Sequence, residues 1–277
     1  MVKPALKKQI VSYLQQAHHL SQRRSCDLSG ISRRTYRYTS IKPPEGDLID
    51  ALTELAKNHP GYGFWKLYHK LRSSGYHWNH KKVYRVYKQL GMNLVKRSRR
   101  RLPARIQQPI EIPPRSGECW SMDFMQDSLY CGQRFRLLNI ADDYNREMVA
   151  MEVGYSISGE RVVRVLERLR EQGKKPLQIR VDNGPEFISK VFQRWAKENQ
   201  VRIHYIQPGK PTQNSLIERI NRSCREELLN PYIFDSIQQV EIKATQWQWE
   251  YNHQRPHKSL GYKSPKQFEQ INNNNEK

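Results

Sequence analysis

The stretch Cys119-Trp120-Ser121-Met122-Asp123-Phe124-Met125-Gln126 sets the fold of the larger half of this 277-residue chain. Trp120, Met122 and Phe124 alternate with Ser121, Asp123 and Met125, the period of a strand with two different faces. Gly132 punctuates a turn, and 135–141 and 148–153 read as two more strands, enough for an antiparallel meander. Val162, Val165, Leu166 and Leu169 recur at i, i+3, i+4 and i+7, predicting an amphipathic helix over 159–172. A fourth strand follows over 177–181. Ile188, Val191, Phe192 and Trp195 then mark a helix over 186–199, and 201–205 reads as a fifth strand. Beyond the loop Gln207-Pro208-Gly209-Lys210-Pro211 a helix is expected from about 212 to 229, with another over about 237–251. The order βββ-α-β-α-β-α predicts an α/β domain with a mixed five-stranded sheet.

Working towards the amino terminus, charge becomes the dominant signal. The chain has a formal net charge of +21. Residues 1–116 hold 24 Lys and Arg against 6 Asp and Glu, and the remainder is close to balanced. Such asymmetry points to a polyanionic partner for the first half. Within it, Ser21 is placed to cap a short helix ending near Leu28, Gly30 to make a turn, and Ser32 to cap a second helix from Arg33 to Tyr38. This helix-turn-helix layout would offer Arg33, Arg34 and Arg37 to DNA; a plain helical hairpin is the alternative. After Pro43-Pro44 a second unit reads as three helices, 48–58, 64–73 and 81–90, with His59-Pro60-Gly61-Tyr62-Gly63 as the first turn. Lys81, Lys82, Arg85 and Lys88 on the last of these are phosphate contacts or a solvated face. Residues 96–116, with six Lys and Arg over 96–105 and four prolines over 103–114, read as an extended basic linker. The expected division is 1–42, 47–95, the linker 96–116, a core over 117–235, and 236–277.

Three carboxylates occupy distinctive places in the α/β half. Asp123 lies in the first strand, Asp182 ends the fourth before Asn183-Gly184-Pro185, and Glu218 follows on a helix after 35 intervening residues. At 100° per residue, Ile217, Ile220, Cys224 and Leu228 form one stripe of that helix, the one expected to be buried. Asn214, Arg222 and Arg225 fall near Glu218 on another face, where a carboxylate, a metal and a phosphate could meet. Hard oxygen ligands suit Mg²⁺ or Mn²⁺, and two-metal phosphodiester chemistry needs carboxylates of this kind. Structural carboxylates are the plain alternative.

Several motifs together carry a family resemblance. They are Trp120-Ser121-Met122-Asp123-Phe124, Arg180-Val181-Asp182-Asn183-Gly184-Pro185-Glu186-Phe187, and Pro208-Gly209-Lys210-Pro211-Thr212-Gln213-Asn214 leading to Glu218. Downstream come Tyr251-Asn252-His253-Gln254-Arg255-Pro256-His257, Leu260-Gly261-Tyr262 and Ser264-Pro265, and upstream the His59–Gly63 turn. Taken in order, with D-x35-E spacing, this set resembles the second-reading-frame product of insertion sequence 3 family transposases, within the retroviral-integrase-like superfamily. The resemblance runs from about residue 10 to 268. It implies a ribonuclease H-like catalytic core preceded by small all-α DNA-binding units. Asp123, Asp182 and Glu218 would form a DDE triad holding two Mg²⁺ or Mn²⁺ ions. Arg225 takes the basic position seven residues after Glu218. The implied reaction is cleavage at the ends of a DNA element and strand transfer of the exposed 3′-OH into target DNA, without a covalent protein–DNA intermediate. Implied partners are the terminal inverted repeats, target DNA, further copies of the chain, and the upstream-frame protein as fusion or partner. No sustained heptad repeat is visible that would serve as the main dimerisation element.

Other residues have plainer readings. Cys26, Cys119, Cys131 and Cys224 form no C-x-x-C pair and are expected as reduced, mostly buried thiols. Asp142 and Asp143 are expected to cap turns, Glu186 to sit at a helix start, and Trp247, Trp249 and Tyr251 to pack in a core. Lys210 is equally a DNA contact or an exposed loop lysine. His204 and His257 are not expected as metal ligands, and the Asn272–Asn275 tail is expected to be disordered. No apolar run of 18 residues and no secretory leader are present, which favours a bacterial cytoplasmic, nucleoid-associated setting without a membrane span. A non-catalytic DNA-binding regulatory or accessory factor is the competing function, and a nuclease on the same core a third.

Overall fold

The computed structural model describes residues 4–39, 45–94, 113–207 and 214–275. Lys210 and most of the expected linker, 96–112, lie outside the described residues. The chain divides into two compact units, Met1–Asp47 and Leu48–Lys277.

The first unit has three helices, α1 (Pro4–His18), α2 (Gln22–Ser29) and α3 (Arg33–Arg37). Ser21 caps α2 by accepting from the Arg24 amide, and Ser32 caps α3 by accepting from the Thr35 amide. Gly30 closes α2 at φ 61°, a left-handed conformation that a side chain resists. A small core of Val11, Cys26 and Ile31, with Tyr36 against it, joins the three. Tyr36 also donates to Gln15 Oε1 at 2.9 Å, tying α3 to α1.

The second unit begins with α4 (Gly46–Asn58), α5 (Phe64–Ser73) and α6 (His80–Gln89), wrapped around Leu48, Leu52, Leu67, Leu71, Val83, Val86 and Tyr87. Asn79 caps α6 through the Lys81 amide. The sheet follows, built from β1 (Cys119–Ser128), β2 (Arg134–Asp142), β3 (Met148–Gly154), β4 (Gln178–Val181) and β5 (Arg202–Tyr205), in the order β3-β2-β1-β4-β5. The first three strands pair antiparallel as the meander predicts, whereas β4 and β5 are parallel to β1.

Each face of the sheet has its own core. Trp120, Met122, Leu138, Ile140 and Ile179 pack against Val162, Val165 and Leu166 of α7 (Gly159–Glu171) and Phe192 and Trp195 of α8 (Lys190–Glu198). On the opposite face Met125, Leu137, Met148 and Val153 meet Ile217, Ile220 and Cys224 of α9 (Ser215–Cys224). They also meet Val240, Ala244, Trp247 and Tyr251 of α10 (Ile237–His253). Full burial of each large apolar side chain contributes roughly 1.5–3 kcal/mol. The strand alternation therefore directs Asp123, on the Met125 side of β1, towards α9.

Several local expectations are corrected. The helix expected over 186–199 starts at Lys190, because Ser189 caps it through the Phe192 amide, so Glu186 lies in the preceding turn. The helix expected to reach 229 stays α-helical only to Cys224 and continues as a π-helical turn, Arg225–Leu229. Trp247 and Tyr251 are core residues, but Trp249 is 52% exposed and stacks on His253, its place on α10 facing away from the sheet. The 272–275 segment is the end of α11 (Pro265–Asn275), where the Asn272 amide donates to the Tyr144 hydroxyl. Cys26, Cys119 and Cys224 are buried and Cys131 is exposed, all with free thiols.

Candidate active site at the carboxyl ends of two parallel strands

β1 and β4 run side by side, with Ser121 paired to Arg180. Two residues beyond that couple stand Asp123, on β1, and Asp182, just past the end of β4, so neighbouring strands about 4.8 Å apart bring the two to the same end of the sheet. The carboxyl ends of adjacent parallel strands are where open α/β sheets form their sites. Asp182 accepts from the Gly184 amide at 3.0 Å, a tight turn that fixes its Oδ1. A Cβ at position 184 would come to 3.0 Å of that same oxygen, so a side chain there would press the Asp182 carboxylate back by a few tenths of an ångström.

Glu218 is on the first turns of α9, exposed. One turn further, Asn221 reaches the strand: its Nδ2 donates to Asp123 Oδ2 at 2.8 Å. Its Oδ1 accepts from Asn139 Nδ2 at 2.7 Å. Asn139 is the cross-strand partner of Asp123 on β2. The other Asp123 oxygen accepts from the Phe124 amide at 2.8 Å. Burial pushes the Asp123 carboxyl up to about 6, and the nearby Asp182 and Glu218 charges raise it as well, against the Phe124 and Asn221 hydrogen bonds. A partly buried carboxyl that feels two others is destabilised as an anion and relieved by a cation. The donor set, three hard carboxylates, fits Mg²⁺ or Mn²⁺ chemistry. Among the described residues no three His, Cys, Asp or Glu side chains are drawn together tightly enough to hold an ion as they stand.

The remaining candidates fall in different places. Ile217, Ile220, Cys224 and Leu228 are buried, as the helical stripe predicts. Arg222 is exposed on α9, whereas Asn214 is buried at 3% exposure with its Oδ1 unpartnered. Arg225 follows α9 directly and begins the π-helical turn. It turns to the end of β1, with Nη1 2.7 Å from Asp127 Oδ2 and Nη2 donating to the Gln126 carbonyl at 2.6 Å. Arg33 and Arg34 are exposed on α3, and Arg37 there donates twice to Gln22 Oε1. On α6 Lys81 and Arg85 are exposed and Lys82 half-buried. Glu186 is engaged by Arg136, whose guanidinium covers the Phe124 ring at 4.1 Å. Asp142 accepts from the amides of Gly117 and Tyr144, and Asp143 pairs with Arg180 at 2.8 Å, both structural duties.

Sequence reasoning missed Asn221 and Asn139. A helix asparagine and a strand asparagine look like ordinary polar residues. The only available signals were the i+3 spacing from Glu218 and the opposition of 123 and 139 across a hairpin of known register.

Comparison with known proteins agrees with this architecture. Residues 113–211 and 199–265 match integrase core domain families, and residues 45–101 match an HTH-like domain family. The chain is 36% identical over 260 residues to the insertion element IS407 uncharacterized 31.7 kDa protein of Burkholderia multivorans, covering 93% of this chain and 94% of that one. It is 36% identical over 266 residues to the insertion element IS476 uncharacterized 39.2 kDa protein of Xanthomonas euvesicatoria, covering 96% and 77%. A simian T-cell lymphotropic virus intasome structure, in complex with a PP2A regulatory subunit, aligns at TM-score 0.50 and 17% identity, covering 79% of this chain and 74% of that one. Fold and matched domains together define an insertion-element protein in which HTH-like helices precede an integrase core. The chain belongs to the insertion sequence 3 family, as its second-reading-frame product.

Proposed function

We propose that this protein is a DDE transposase that cleaves DNA at the ends of its element and joins the 3′-OH to target DNA. The observation that carries this reading is the register placing Asp123 beside Asp182, with both it and Glu218 felt by the Asp123 carboxyl. Family membership supports the same reading, because insertion elements need polynucleotidyl transfer to move. A purely binding protein has no use for two carboxylates at strand ends with a third on the adjacent helix.

Asp123, Asp182 and Glu218 would hold the divalent cations. When bound, such ions supply activation of the attacking water or 3′-OH and neutralise charge building on the phosphate and the leaving oxygen. The protein's own contribution is positioning. Two ligands come from rigid strand ends, and Asn221 fixes the rotation of the Asp123 carboxylate. Glu218, on a helix and exposed, adjusts to the substrate. Arg222 and Lys210 would contact the DNA backbone near the cut. Arg225 would join them by exchanging Asp127 for phosphate, and Asn214 would meet DNA by accepting from a base amino group through its Oδ1. The helical parts would hold flanking DNA through Arg33, Arg34 and Arg37 in the first unit and Lys81, Lys82 and Arg85 on α6. We further propose the five-part division set out above, assembly of several copies on DNA, cooperation with the upstream-frame protein, and action at the nucleoid. No helix among the described residues is long and apolar enough to cross a membrane.

Strand transfer on a labelled element-end oligonucleotide with Mn²⁺, comparing the wild type with Asp182→Asn and Glu218→Gln, tests the proposal. Joined products that vanish in both variants are expected. Cleavage without joining would indicate a nuclease. DNA binding without any product, even when the upstream-frame protein is fused on, would indicate a regulatory factor.

A further inference from the structure

The motif running from Tyr251 to Tyr262 takes no part in the candidate active site, yet it is one wall of a cavity of about 630 Å³. The opposite walls come from Trp65 and Lys66 of α5, and from Leu216, Arg219, Ile220 and Ser223 of α9. At 100° per residue these four α9 positions lie about 100° to 200° round the helix from Glu218. The cavity is therefore on the far side of α9 from the candidate active site, one helix width of roughly 10 Å away.

Its chemistry is specific. Lys66, Arg146, Arg219, Arg255 and Lys258 line it, and among the described residues no carboxylate does. Lys66 and Arg255 are matched by Glu227, but Arg219 and Lys258, both exposed, have no ion pair among the described residues. Aromatic rings edge the opening: Trp65 is 50% exposed, and Tyr262 stacks on His69 at 3.8 Å. Two further polar atoms on the walls, Arg146 Nε and His257 Nε2, are buried without a hydrogen-bond partner among the described residues, and the His257 residue is 7% exposed. Flat rings, guanidinium planes and unmatched positive charge are what an unstacked nucleobase and its phosphate pack against. The volume matches that of small-ligand sites, about 300–1,000 Å³. A duplex, with a major groove alone about 12 Å wide, does not enter it.

We propose that this cavity receives an unpaired nucleotide of the DNA, its base against Trp65 and Tyr262 and its phosphate at Arg219 and Lys258. The proposal rests on the reading of the protein as a DNA-acting transposase. It places a gripping point for a frayed strand across α9 from the carboxylates, so that melting of the DNA next to the cut is stabilised by the same helix that brings Glu218 to it.

The test uses the full-length protein in EDTA, with duplexes carrying 5-iodo-2′-deoxyuridine either in a splayed, unpaired end or in a fully paired version. Photocrosslinked peptides are mapped by mass spectrometry. Crosslinks at Trp65 or Tyr262, from the unpaired positions only, are expected. Arg219→Ala with Lys258→Ala, both at exposed sites that leave the fold intact, should weaken binding of the splayed DNA about tenfold and of the paired DNA at most twofold. Trp65→Phe should retain the preference that Trp65→Ala loses. Arg194→Ala with Lys197→Ala on α8 controls for general loss of charge. Splayed DNA bound with crosslinks elsewhere, or equal losses on both DNAs, overturns the proposal while leaving the transposase reading standing. Wild-type protein that binds neither DNA overturns that reading and the cavity's role with it.

Discussion

Replacing Glu227 by glutamine removes one charge from a buried cluster without changing its shape. Glu227 and Arg255 side chains are 5% and 7% exposed and meet in a bidentate pair at 2.7 and 2.8 Å. Lys66 adds a third contact at 2.7 Å, and Arg255 also donates to Ser223 Oγ at 3.0 Å. Burial alone would raise the Glu227 carboxyl, but the Arg255 hydrogen bonds and charge, with Lys66, outweigh it and hold the carboxyl below its usual range. In the glutamine variant Lys66, at 28% exposure, can turn to water, whereas Arg255 cannot. Stranding one buried charge costs about 3–5 kcal/mol, and the amide oxygen still accepts one bond, so the lower end, about 3 kcal/mol, applies. At roughly 2–4 °C per kcal/mol for a chain of this size, Tm should fall by about 6–12 °C in a thermal melt. Adding Arg255→Met to Glu227→Gln should recover part of the loss, since no unpaired charge then remains. The pH dependence has a definite sign. A lowered folded-state carboxyl stabilises above the unfolded value near 4.5 and loses that stabilisation as pH falls towards its folded value. Wild type should therefore lose more Tm than Glu227→Gln on acidification below pH 4.5. A fall under 2 °C for the single variant at neutral pH would refute the claim that these charges are buried and interdependent.

Asn221→Ala removes a hydrogen bond that lowers the Asp123 carboxyl, so the acid limb of the strand-transfer pH profile should move upward, with a rate loss of about tenfold or more at pH 7; Asn221→Ser, which keeps a donor, should lie between. Because burial pushes the Asp123 carboxyl up to about 6, Mg²⁺ at tenfold excess over Kd should stabilise the protein by about 1.4 kcal/mol at pH 7.5 and by less at pH 5, seen as a smaller rise in Tm, and Asp182→Asn should abolish the difference. Gly61→Ala drives a Cβ to 2.9 Å of the Glu226 carbonyl and 3.1 Å of Glu227 Cγ, and should cost about 1–3 kcal/mol in urea titration; an unchanged midpoint would mean that the turn is not seated there.

Sheet, helices and caps were legible because their signals are local. Alternation in 119–126, the i, i+3, i+4 stripe of α7, and Ser21 and Ser32 at helix starts each depend only on neighbouring residues. What escaped depends on tertiary context. The π-helical turn has no composition of its own, and the pairing of Arg225 with Asp127 at the end of β1 depends on the strand that the fold brings to it. Trp249 sits between core residues Trp247 and Tyr251 in sequence, but two residues along a helix is half a turn away. The carboxylates at 123, 182 and 218 stood out because spacing and strand ends marked them. Asn139 and Asn221 matter only through the partner that the fold brings to them.

The same geometry explains why the His59–Gly63 turn and the Arg255-Pro256-His257 motif belong together, 190 residues apart in a chain otherwise read as separate domains. Glu227 lies in the π-helical turn that continues α9, and α9 carries Glu218 and Asn221. Arg255 follows α10, and Lys66 is on the first turn of α5, whose preceding turn stacks His59 on Tyr62 at 4.6 Å. One buried carboxylate thus ties the α4–α6 helices to the helix that bears two residues of the candidate active site. An i→i+5 turn is an unusual way to continue a helix, and such turns concentrate at functional sites. Here it rotates Glu227 into the junction while Ile217, Ile220 and Cys224 stay fixed on the sheet. On the proposed function, a shift of the α4–α6 helices on meeting DNA would reach α9 through the Lys66–Glu227 contact, with Arg255 holding the Glu227 carboxylate in place. Loss of the pair should therefore lower strand transfer even below the melting temperature, through misplacement of Glu218 rather than through unfolding.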